Sequence, residues 1–170
     1  MFSSGFVEGY ELIAYFPEDD PKVFDLFNGW VYFGTLRTLK HTSDTTSPFK
    51  WNPIHLYCLA DKFCLPELMD KVLDSFSQTM LDTDVFPVWK DISDAYKGTP
   101  NGSPLRKFIC HTFHFIFAGL GQGLGGEENW PAEDMAKAME GNRDFAIDFF
   151  NMMRLHPVGS IVKDPCTLPK

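Results

Sequence analysis

The 170-residue chain has no run of Lys or Arg, and its formal net charge is -8 with a sequence pI of about 5.0. A nucleic-acid phosphate backbone is therefore not an expected partner. No apolar stretch reaches the ~18 residues that a membrane-spanning helix needs, so no membrane partner is expected either. The first residues lack the basic region and apolar core of a signal peptide, and carry Glu8 and Glu11 in its place. The four cysteines, at 58, 64, 110 and 166, are scattered and form no C-x-x-C. That pattern fits reduced thiols better than a disulfide framework. The expected location is intracellular, cytoplasmic or nuclear. There is no G-x-S-x-G and no internal repeat, which removes a serine-hydrolase elbow and a solenoid.

What the chain does have is apolar material: 44% hydrophobic residues, including 17 Phe. A chain of this length buries roughly 70% of its unfolded surface, so a sizeable core is expected. The stretch 17–34, PEDDPKVFDLFNGWVYFG, organises the rest. Asp19 and Asp20 precede Pro21, which suits the first helical position because its missing N–H costs nothing there. Val23, Phe24, Phe27, Trp30 and Val31 then follow as one stripe of 3.6-residue period, and Gly34 is placed to end the helix. Phe27 and Trp30 are expected to be buried against the following helical hairpin.

The same logic of a cap, a proline and a periodic stripe predicts helices over 53–63, 66–79, 88–96 and 104–117, with two more between 130 and 155. Residues 11–16 read as a short strand. Residues 35–51 read as a long polar loop, a length that is usually functional or mobile. The break at Leu65-Pro66 makes an αα-hairpin. Asn101-Gly102-Ser103 matches a glycosylation sequon but reads as a turn, with Ser103 and Pro104 opening the next helix. That helix is apolar nearly all round, and so is either central or a docking surface.

Chemistry-bearing patterns are weak. GQGLGG at 121–126 matches G-x-G-x-x-G, but a helix precedes it and Glu127 and Glu128 follow it, where they would repel phosphate. Cys110 and His114 stand at i, i+4 beside His111, which makes half of a zinc site at most. The plainer reading is a buried Cys and a partly exposed His. Cys58 and Cys64 lie six apart, and His41, His55 and His156 have no recognisable partners. Glu18, Asp19 and Asp20 read as a helix-cap cluster, and Glu127, Glu128, Glu133 and Asp134 as a solvated helix start. The expectation is a non-enzyme with no catalytic, cofactor-binding or metal-ligating residues and no cofactor. A small metal-dependent enzyme using Cys110, His111 and His114 is the distant alternative.

The acidic-Asp-Pro-x-x-Phe helix that ends in Trp-x-Tyr-x-Gly, at 18–34, resembles the third helix of a BTB/POZ domain. Residues 1–16, with Phe2, Phe6, Glu8 and Leu12, resemble the family's short second helix and the strand after it. LYCLADKFCLPELMDKVLDSF at 56–76 resembles its fourth and fifth helices, and residues 92–109 resemble the segment that follows the domain in many fungal members. The resemblance implies a mostly α protein of an α+β family: a truncated BTB/POZ-like helical cluster with a C-terminal helical extension. It implies a BTB/POZ-like part over 1–82, a helical extension over 83–155 and an irregular tail over 156–170. It also implies a protein–protein interaction module, with a cullin ubiquitin-ligase scaffold as an alternative partner. Residues 35–51 contain no Glu, which departs from the apolar-x-Glu motif that cullin adaptors offer there. Family members carry two strands and a helix ahead of the point matching Met1. The expectation is therefore a shortened form or the later part of a longer protein, which self-associates or takes a partner to cover residues 11–16.

Overall fold

The computed structural model describes residues 19–40, 42, 49–119, 131–156 and 166. Among them the architecture is helical. The elements are α1 (Pro21–Phe33), α2 (Pro53–Lys62), α3 (Pro66–Thr83), α4 (Trp89–Gly98), α5 (Pro104–Gly119), α6 (Ala132–Gly141) and α7 (Arg143–Leu155). The described residues contain no strand, so the mostly α expectation stands without the β part of the α+β label. The expected strand at 11–16 and the G-x-G-x-x-G stretch lie outside the described residues.

Four of the seven helices start with Pro at the first position: Pro21, Pro53, Pro66 and Pro104. Asp20 caps α1 by accepting from the Lys22 amide at 2.9 Å, and Asn52 caps α2 by accepting from the Ile54 and His55 amides. These bonds satisfy donors that have no partner inside the helix. Gly34 closes α1 at φ 68°, a left-handed conformation that glycine adopts without a Cβ penalty. The α2–α3 break is a Schellman-type turn, with the Leu65 amide on the Ala60 carbonyl at 2.9 Å and Cys64 at φ 54°.

Two local expectations are corrected. Helix α4 begins at Trp89 rather than at residue 88, because Val88 is extended at ψ 170° and its amide binds the Asp91 carboxylate at 2.9 Å. Ser103 does not cap α5 with its side chain: its hydroxyl is buried without a hydrogen-bond partner. Only its carbonyl serves the helix, accepting from the Lys107 amide.

Helix α2 packs against α1, α3 and α4, while α4 in turn contacts α5, α6 and α7. One buried cluster runs from Val23 through Ile54, Leu56, Tyr57, Phe76, Ile92 and Ile109 to Phe145 and Phe149. Helix α5 is the central one. Leu105, Arg106, Phe108, Ile109, Cys110, Thr112, Phe113, His114 and Ile116 are all buried. Its aromatic contacts reach α3 (Phe76–Phe108, 5.7 Å) and α7 (Phe113–Phe145 and Phe113–Phe149, both 5.2 Å).

The burial of α1 differs from the stripe read in the sequence. Val23 and Leu26 are the buried pair, Phe27 and Trp30 are half-buried, and Val31 is 53% exposed. The helix lies at the edge of the bundle, so its inward row is narrow and is turned toward Leu26. Phe27 stacks on Phe63 at 5.2 Å, which ties α1 to the end of α2. The polar loop is also better anchored than its composition suggests. Leu39, Phe49 and Trp51 are buried, the Lys50 amide donates to the Lys40 carbonyl at 2.8 Å, and the Trp51 indole donates to the Arg37 carbonyl at 3.2 Å.

Candidate functional site

The start of α1, the length of α2 and the second half of α4 line an open cavity of about 510 Å³. Four carboxylates reach it, from Asp19, Asp20, Asp61 and Asp94, along with His55, Cys58, Lys62 and Lys97. His55 meets Asp94 at 3.1 Å, and Lys62 meets Asp19 at 2.9 Å. A partner for His55 could not be read from the sequence, because Asp94 lies 39 residues away on another helix. Cys58 is the one thiol lining this cavity. Burial, then the neighbouring Asp61 and Asp94, push its thiol up to about 12. A nucleophilic cysteine needs the opposite environment, one that favours the thiolate. The His55–Asp94 pair therefore stands beside a thiol held in its protonated form.

Within this cavity α2 and α4 approach closely at Cys58 and Gly98. A Cβ added at Gly98 would overlap the Cys58 Sγ. Glycine is the residue that lets the two helices meet here.

The residues weighed for zinc are placed as follows. Cys110 and His114 are both buried on α5, and His111 is half-buried. The Cys110 thiol is pushed up to about 12, first by burial and then by Asp148. His111 and His114 are both held below the usual imidazole range, by burial first and then by His156. The His156 ring lies 6.4 Å from that of His111 and 5.9 Å from that of His114. This grouping is not legible from residue spacing, since His156 follows α7. Among the described residues, no three His, Cys, Asp or Glu stand where they could hold a metal ion.

The acidic residues at the entry to α1 divide their work. Asp20 caps the helix and Asp19 pairs with Lys62; Glu18 lies outside the described residues, as do Glu127, Glu128 and His41. Asn101 of the sequon-like turn accepts a hydrogen bond from Arg106 at 2.5 Å, so its side chain is engaged inside the fold.

Sequence reasoning missed Arg106 altogether. It is 6% exposed and sits at the junction of α4, α5 and α7. Its guanidinium donates to the Tyr96 carbonyl at 2.6 Å and to the Thr99 carbonyl. It also reaches the Thr99 hydroxyl at 3.3 Å and Asp144 at 3.4 Å. The guanidinium carbon lies 4.8 Å from the centroid of the Tyr96 ring, whose hydroxyl donates to Asp148 at 3.0 Å. This is a structural clamp, since every partner is part of the fold.

Among the described residues, two apolar surfaces are left exposed. At the end of α1, Val31, Tyr32 and Phe33 are 53%, 80% and 79% exposed. Along α7, Ile147, Phe150 and Leu155 are exposed near Phe117. No described helix is long and apolar enough to cross a membrane. No protein-family model, no curated protein and no solved structure matches the chain.

Proposed function

We propose that the chain is a non-enzymatic protein–protein interaction module of the BTB/POZ type, acting inside the cell in the cytoplasm or nucleus. The observation that carries the reading is the exposed apolar end of α1, where three consecutive large side chains are at least half exposed. Apolar surface gathered in this way marks a contact for another protein. Helix α1, with its Asp20 cap, Pro21 and Gly34, and the tight α2–α3 break that follows it are compatible with the reading. Cys58 and Cys110 are held as thiols, which suits a binding role better than covalent catalysis. A cullin fragment is not expected to be retained, because residues 35–51 offer no Glu.

The test is site-specific photo-crosslinking in cells. A photoreactive residue at position 32 should yield discrete protein adducts, and these should disappear when Val31 and Phe33 are both changed to Glu. A crosslinker at Lys107, which is exposed on α5, serves as the comparison. Adducts at position 32 no stronger than at position 107 would sink the proposal.

A further inference from the structure

On the other side of the α1 start lies a second open cavity, of about 740 Å³, whose charge is opposite to that of the whole chain. Lys22, Arg37, Lys40 and Lys50 line it, and Asp25 is its sole carboxylate. The lining thus carries a net of three positive charges on a protein of net charge -8. Among the described residues, Lys22, Lys40 and Lys50 have no carboxylate within ion-pair distance. Like charges gathered in a concave surface raise the local potential and draw in a counter-ion.

The backbone under these cations is fixed. Lys40 and Lys50 are joined by the amide-to-carbonyl bond at 2.8 Å, and the Arg37 carbonyl is held by the Trp51 indole. Leu39 and Trp51 are buried beside them. Three positive groups from a segment of mixed composition therefore stand on anchored main chain, and Lys22 meets them from the first turn of α1. Asp25 is already engaged, accepting from Arg37 at 2.7 Å. Both partners of that pair are about two-thirds exposed, so the pair is weak and an incoming anion can compete for the guanidinium.

We propose that this cavity binds a phosphate-bearing anion, with Lys22, Arg37, Lys40 and Lys50 as its cationic wall and Asp25 as the internal competitor. The volume falls in the range of small-molecule sites, roughly 300–1,000 Å³. A phosphate monoester or polyphosphate carries two or more charges, which matches the net charge of the lining better than a single carboxylate does. Arg37 offers a planar fork to phosphate oxygens, and the lysines act as point charges around it. The site is separate from the exposed end of α1, and its failure would leave the interaction reading untouched.

Calorimetric titration of the full chain with inorganic tripolyphosphate tests the proposal. Saturable binding of one ligand per chain is expected, weakening as salt is added. Lys40→Glu with Lys50→Glu should lower the affinity at least tenfold. Asp25→Asn should raise it, because it removes a negative charge and frees Arg37. Lys107→Glu, at an exposed site on α5, should leave it unchanged. Circular dichroism confirms that each variant is folded, and Lys→Gln replaces Lys→Glu for any that is not. Two further probes, a soluble inositol phosphate and phosphatidylcholine vesicles carrying phosphatidylinositol 4-phosphate, separate a free phosphate ester from a lipid headgroup as the source. Absence of saturable binding at millimolar tripolyphosphate overturns the site. So does an equal loss in the Lys107 variant, or weaker binding on Asp25→Asn.

Discussion

Arg106 is the side chain whose removal should be most informative about what holds the helices together. Replacing it with Met keeps much of the stem volume and deletes the guanidinium. The Tyr96 and Thr99 carbonyls then lose donors in a region where Arg106 itself is 6% exposed. Each buried acceptor left unpaired costs about 1–3 kcal/mol. The cation over the Tyr96 ring adds about 0.5–2 kcal/mol. Asp144 contributes little, because its side chain is 56% exposed and water takes it up. The expected loss is about 3–5 kcal/mol, a large part of the 5–15 kcal/mol typical of a domain. Arg106→Lys keeps the charge but offers one ammonium to partners spread around a fork, so an intermediate loss of about 2 kcal/mol is expected. Urea denaturation followed by circular dichroism measures both, compared at equal slope. A Met variant within 0.5 kcal/mol of the parent (about the scatter of a neutral surface change) would refute the clamp and show that water replaces the guanidinium without cost.

Two further perturbations follow from the close contacts and the imidazoles. Gly98→Ala should destabilise the fold by about 1–3 kcal/mol even though Ala is the better helix former, because its Cβ meets the Cys58 Sγ. Cys58→Ala should restore most of that loss in a double-mutant cycle, and a cycle showing simple additivity would contradict the contact. His111 and His114 are held neutral below the usual imidazole range in the fold. Above pH ~6.5 neither the folded nor the unfolded state protonates them, and their contribution is at its full value. As pH falls through that value the unfolded chain takes up protons that the fold resists, so stability drops. Replacing both with Gln should flatten the drop in denaturation midpoint between pH 7.5 and 5.5, and an unchanged drop would assign it to other groups.

Helix positions were legible because the signals for them are local. Pro21, Pro53, Pro66 and Pro104 each mark a first turn with chemistry that needs no distant partner. The same reasoning erred by one residue at the start of α4, where the Asp91 carboxylate takes the Val88 amide and makes Val88 the cap rather than the first helical residue. It erred on α1 too, since periodicity says which residues share a face but not how much of that face a neighbour covers. Half-buried Trp30 and buried Leu26 are the result. Arg106 was illegible for another reason. Its main partners are backbone carbonyls, and a carbonyl has no residue type to read. Its one available signal was position: Arg106 lies three and seven residues before Ile109 and Phe113, on a row that is otherwise apolar. The basic cavity was hidden by dispersion, since its four cations are spread from 22 to 50 and each alone reads as solvated surface.

Helix α5 has a consequence for the order in which the protein matures. Its flank at Phe113 and Phe117 is covered by Phe145 and Phe149 of α7, which a ribosome adds about two dozen or more residues later. At ~5–20 residues per second, this aromatic row waits for seconds after it has been made. During that wait α1 to α4 can assemble around α2, while α5 has only one side occupied. The newborn chain is thus at its stickiest between the making of α5 and that of α7, and Arg143–Leu155 acts as the lid whose arrival ends the hazard. A rare-codon stretch or a stall between 120 and 140 would lengthen that interval, and chaperone demand should rise with it.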